Sequence, residues 1–168
     1  MKQNHREGHH HMTGISYPLR GACRCGDCAF EIGSDPLITS ACHCRGCQQM
    51  SSAPYSITAI MPGDAFRVTK GDPVPCGLKG EAIRHFGCPS CMTWMFTRLS
   101  FMPDVVNVRS VLLEDPRWTL PFMETQTAER LDWARTPASH SYERFPAPEE
   151  FPALIQAFAA ASRRGAEG

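Results

Sequence analysis

The chain has 168 residues, enough for one domain with a substantial core, and its Lys+Arg and Asp+Glu counts of 17 each cancel. No block of like charge offers a footprint for nucleic acid, and no apolar run is long enough to span a bilayer. The chain carries 9 cysteines, and its first residues lack the apolar core of an export signal. The expectation is therefore a cytoplasmic protein whose grouped thiols are metal ligands or catalytic groups rather than disulfides.

In chain order, residues 1–14 hold His5, His9, His10 and His11 among polar neighbours. They read as a disordered or tag-like tail, leaving 15–168 as a single zinc-binding domain. Apolar alternation at period two then marks short strands at 28–32, 55–60, 66–69, 82–86, 93–97 and 105–111. Turn signals separate them, at 33–36 (GSDP), 61–64 (MPGD), 70–73 (KGDP) and 102–104 (MPD). Strands this short and close predict a mainly β protein of antiparallel sheets. A helix of one or two turns is expected at 47–51 and a longer one at 149–161. In the latter Phe151, Leu154, Ile155 and Phe158 form one apolar stripe, and Pro152 is tolerable only in the first turn.

The cysteines fall into three groups and two singles. Cys23 and Cys25 lie in GACRCG, Cys42, Cys44 and Cys47 in CHCRGC, and Cys88 and Cys91 in GCPSC, with Cys28 and Cys76 apart. C-x-x-C turns present two sulfurs to one metal at about 2.3 Å. Cys23, Cys25, Cys88 and Cys91 would complete a tetrahedral four-sulfur set and leave the triplet with three thiolates. Spacing alone equally allows Cys23 and Cys25 to join Cys42 and Cys44, or Cys28, Cys76 or His43 to complete the triplet.

The ordered motifs G-A-C-R-C-G-x-x-x-F, C-H-C-x-x-C-Q and F-G-C-P-x-C, spread between Arg20 and Trp133, resemble the glutathione-dependent formaldehyde-activating enzyme family, which includes centromere protein V. The resemblance implies zinc knuckles on an all-β fold shared with small guanine-nucleotide-exchange chaperones. It implies two zinc ions per chain. Cys23, Cys25, Cys88 and Cys91 would hold a structural one, and Cys42, Cys44 and Cys47 a catalytic one with an open position. It also implies carbon–sulfur lyase chemistry on a thiol adduct, glutathione or a similar thiol with formaldehyde or a small aldehyde. One departure stands out: Met92 occupies the place after the second knuckle cysteine where the family pattern has Gly, which would allow a positive φ.

A three-thiolate zinc is a blunted Lewis acid suited to a soft sulfur ligand. A free thiol is only about 3% ionised at pH 7, so binding as thiolate gains roughly 30-fold, about 2 kcal/mol. Larger rate enhancements must come from holding thiol and carbon partner together. Other residues admit two readings each. Arg45 could offset the anionic centre or be an ordinary loop residue. His43 could relay a proton or make a structural hydrogen bond. Gln48 and Gln49 could meet substrate, solvent exposure being the default. His85 reads as structural, and Trp94 and Trp133 as core or pocket wall. Cys28 and Cys76 read as small apolar residues. Arg20, Arg24, Arg84, Arg98, Arg109, Arg130 and Arg135 are all candidates to meet substrate carboxylates. The rival reading is a zinc-stapled binding module without catalysis, acting through a protein partner.

Overall fold

The computed structural model describes residues 15–78 and 80–164, so the expected tail at 1–14 lies outside the described residues. Three short strands, β1 (Leu19–Ala22), β2 (Ala29–Ile32) and β5 (Phe66–Lys70), form an antiparallel sheet in the order β1-β2-β5. A second sheet contains β3 (Ile38–Cys42), β4 (Ser56–Pro62), β6 (Val74–Cys76), β7 (Ile83–Gly87), β8 (Trp94–Leu99), β9 (Met102–Val108), β10 (Met123–Thr125) and β11 (His140–Ser141). Its order is β11-β10-β3-β4-β9-β8-β7-β6, antiparallel except that β10 runs parallel to both β3 and β11. Two helices complete the fold, α1 (Arg45–Ser51) and α2 (Phe151–Arg164). No helix among the described residues is long and apolar enough to cross a membrane.

The small sheet packs on one face of the large one. Phe30, Ile32 and Phe66 from the former meet Ala59, Met61, Phe96, Val106 and Val108 from the latter, all buried. Gly21 on β1 is part of this closure, because a Cβ there would stand 2.3 Å from the Phe30 ring. The opposite face of the large sheet is covered at its β10-β3-β4 end by α2. Leu154 and Phe158 bury against Ile38 and Met123 there, with Phe151 packed alongside. Each such side chain removed from water contributes about 2 kcal/mol, which fastens a helix too short to persist alone.

The expected strands are present with shifted ends, and one expected turn is not a turn. Residues 102–104 belong to β9, where Met102 faces Leu99. β4 pairs with β9 only as far as Val105, so Pro103 lies beyond the ladder on that side and its missing N–H costs no bond.

Candidate metal centres

Two groups of sulfurs emerge from this scaffold. The first joins the loop after β1 to the turn between β7 and β8. Cys23 and Cys25 sulfurs are 3.5 Å apart, Cys25 and Cys88 3.7 Å, and all four Sγ atoms including that of Cys91 lie within 4.8 Å of one another. Four sulfurs around a tetrahedral zinc at bonds of about 2.3 Å are separated by roughly 3.8 Å, so the donor set fits a single zinc. The chemistry fits as well. The Thr93 hydroxyl beside it, backed by nearby N–H groups, holds the Cys91 thiol down to about 5. Cys25, despite a backbone N–H from Asp27, is pushed up to about 12 by desolvation and by the Cys91, Cys23 and Cys88 sulfurs. Sulfurs this close cannot all ionise unless a cation joins them.

The knuckle turn keeps the left-handed residue that the sequence put in doubt. Met92 has φ 57°, its N–H donates to the Cys88 carbonyl at 2.9 Å, and its side chain is exposed. The position demands positive φ, and Met adopts it under strain. Met92→Gly is therefore expected to stabilise the metal-loaded protein, since relief of about 1–2 kcal/mol exceeds the extra chain entropy of Gly by about 0.5 kcal/mol. Thermal unfolding checks this: a lower melting temperature in the variant would show the turn is not strained.

The second group sits where β3 meets α1. Cys42 ends β3, Cys44 is the N-cap of α1, and Cys47 lies in its first turn, with the three Sγ atoms within 4.8 Å. An extended N-cap (φ −61°, ψ 150°) aims the Cys44 sulfur at the free N–H groups of the first turn, and it accepts from Cys47 N at 3.4 Å. These N–H groups favour the thiolate of Cys44. Hydrogen bonds from the Cys42 and Cys47 thiols, with the Cys47 and Gly46 amides, pull it down to about 2. Cys47 is driven far up, first by Cys42 and then by Cys44, and Cys42 is driven up chiefly by Cys44. Among the described residues no histidine, carboxylate or further cysteine joins these three sulfurs.

The family model for the glutathione-dependent formaldehyde-activating enzyme matches residues 18–129. The chain belongs to that family. A solved Rhodobacter sphaeroides protein, a structural-genomics target, is 22% identical with a TM-score of 0.48, covering 58% of this chain and 92% of its own. The family match takes in both sulfur groups and ends before α2.

Around the Cys42–Cys47 loop, several side chains differ from their sequence reading. His43 is fully buried and turned away from the sulfurs, its Nε2 3.0 Å from Glu124 Oε2. Glu124, on β10, also accepts from Arg130 Nη1 at 2.8 Å, Thr136 Oγ1 at 2.7 Å and Ser141 Oγ at 2.9 Å. Burial alone would push the Glu124 carboxyl up. The Thr136, Ser141, His43 and Arg130 donors outweigh it and hold the carboxyl below its usual range. Gln48, expected in solvent, is buried. It faces the chain after β10 rather than outward, and its Nε2 donates to the His43 and Glu129 carbonyls at 2.6 and 2.9 Å. Arg45 is exposed and bonds Gln48 Oε1, and Gln49 is exposed. Trp133, expected in the core or a pocket wall, is 72% exposed and belongs to neither core cluster. Cys28 is a buried core residue, and Cys76 is half-buried.

This carboxylate cluster is the anchor that ties β10 and the segment after it to the cysteine loop. A group whose folded pKa is depressed stabilises the fold above its unfolded value and loses that contribution as pH falls through the folded one. Glu124→Gln is therefore expected to cost about 3 kcal/mol at pH 7, because buried donors lose their acceptor. The gap between parent and variant should narrow in acid below about pH 4. Denaturant titrations at both pH values test this, and a gap independent of pH would contradict it.

Opposed residues of neighbouring strands share a face. Pairing Cys42 with Ser56, Ile60 with Asn107, Asn107 with Thr97, Thr97 with His85 and His85 with Cys76 therefore lays a mostly polar band along the face on which α2 sits, running from the end of the sheet that α2 covers out to β6. Along it the Thr97 hydroxyl meets His85 Nδ1 at 2.9 Å and accepts from Trp94 Nε1 at 3.2 Å. Burial pulls the His85 imidazole down, the Arg109 charge adds to this, and Cys44 works against it. At the far end a cleft of about 360 Å³ is lined by Cys76, Leu78, Glu81, Arg84 and His85, among others. Residues read singly from sequence as structural or indistinct (His85, Trp94, Arg109) thus lie on the same face as Cys42, a clustering that only strand register reveals.

Proposed function

We propose that this chain is a zinc-dependent enzyme that makes or breaks a carbon–sulfur bond in an adduct of glutathione, or a similar thiol, with formaldehyde or a small aldehyde. The observation that carries the reading is a three-sulfur group with no fourth protein donor among the described residues. On this reading Cys42, Cys44 and Cys47 bind the catalytic zinc and Cys23, Cys25, Cys88 and Cys91 a structural one. Zinc held by three thiolates supplies a position where a substrate sulfur is kept ionised. The chain's residues do the rest. The first turn of α1 spreads the charge of Cys44, and the cleft beyond His85 receives the body of the substrate, with Arg84 assigned to one of its carboxylates. In the condensing direction the sulfur adds to the carbonyl carbon, the C=O π pair moves to oxygen, and oxygen takes a proton from water. Cleavage is the reverse.

Metal analysis of unoxidised protein should find two zinc ions per chain. X-ray absorption should show the mean number of sulfurs per zinc rising when glutathione is added. Hemithioacetal formation from glutathione and formaldehyde should exceed the uncatalysed rate. A single zinc, or a sulfur number unmoved by thiols, sinks the assignment.

A further inference from the structure

Arg109 follows β9 with its N–H bonded to the Met95 carbonyl at 2.9 Å, so the strand's alternation carries one residue further. Two residues beyond Asn107, its side chain enters the same band as Cys42, Ser56 and Thr97. There its guanidinium carbon stands 4.0 Å above the centroid of Trp94, and the residue is only 6% exposed. Its Nε is buried without a hydrogen-bond partner, and among the described residues no carboxylate pairs with it. A buried guanidinium with no counter-charge is among the most costly arrangements in a protein interior. The aromatic face offsets part of the cost and fixes the plane of the group.

The cysteine triplet shares that face: Cys42 ends β3 opposite Ser56, and the β4–β9 ladder, continued past Val108, sets Arg109 across from Thr58, two residues from Ser56. Burial draws the Arg109 guanidinium down to about 10. His85 is its other titratable neighbour. Three thiolates on a divalent zinc leave one net negative charge, and a thiolate in the fourth position makes it two, whereas water adds none. A fixed cation beside the centre lowers the energy of the more negative state most.

We propose that Arg109, stacked on Trp94, is the counter-ion of the three-cysteine centre and makes it select a thiolate over a neutral fourth ligand. It positions charge without touching the substrate. The inference rests on the function proposed above and adds to it the residue that sets ligand preference.

The test uses cobalt-substituted full-length protein, whose ligand-field and sulfur charge-transfer bands report the fourth ligand. Parent, Arg109→Met and Arg109→Lys are titrated with 2-mercaptoethanol and, separately, with neutral imidazole. Arg109→Met is expected to weaken thiol binding on the order of tenfold, with imidazole affinity held within about threefold and Arg109→Lys retaining most of the thiol affinity. If Arg109→Met does not accumulate folded, Arg109→Gln, also neutral, carries the same comparison. Equal changes for both ligands, or unchanged thiol affinity in a folded neutral variant, overturn the role of Arg109 and leave the proposed function standing. A parent spectrum indifferent to thiols removes both.

Discussion

Cys88→Ser is expected to lower stability by about 3–5 kcal/mol and to yield protein lacking one metal equivalent, with the second kept only while the fold survives. Cys88 is fully buried, and its partners Cys23 and Cys25 come from near the start of the described chain, Cys25 standing 63 residues away. A metal bridging them closes a loop whose entropy the unfolded chain would otherwise recover. The same sulfurs belong to the main core, because Cys23 and Cys88 pack in the cluster that holds the two sheets together. Serine keeps the size but offers zinc a poorer ligand, leaving the three other thiols crowded together. Thermal unfolding and metal content of the purified variant test this together. A melting temperature within a degree or two of the parent would mean the four-sulfur group is not a staple.

The three cysteine motifs were legible in local spacing, but which of them share a site was not, since Cys25 and Cys88 stand 63 residues apart and only the family resemblance paired them. α2 was legible because Phe151, Leu154 and Phe158 of one apolar stripe meet one surface. β3 was not. Ile38, Thr39, Ser40 and Ala41 are all buried, since both faces of that central strand are covered, and a strand buried on both sides loses the alternation that betrays an edge or surface strand. β10 hid for a different reason. Glu124 looks like a surface carboxylate, and its burial depends on His43 and on residues 130, 136 and 141, brought back by the chain that follows. Arg109 was one arginine among many. What distinguishes it is the combination of a tryptophan face, a missing carboxylate and a place on the same sheet face as Cys42, none of which is a local property of the chain.

Cys44→Ser should give the opposite result to Cys88→Ser, with turnover lost and the fold kept. The three sulfurs of its group come from a single strand–helix junction, Cys42 to Cys47, so a metal there closes almost no loop and contributes little to stability. Serine is itself a favoured N-cap, so α1 keeps its first-turn acceptor and the expected cost is under about 1 kcal/mol. What disappears is one of the three sulfurs that would hold the metal. Activity should fall to the uncatalysed rate. Brief chelation of the parent should mimic the variant, removing one metal equivalent and all turnover while the β-sheet signal in circular dichroism persists, and added zinc should restore it. If Cys44→Ser instead unfolds the protein as readily as Cys88→Ser, both groups are staples. The chain would then be a zinc-stapled module that works through a partner surface rather than at a metal.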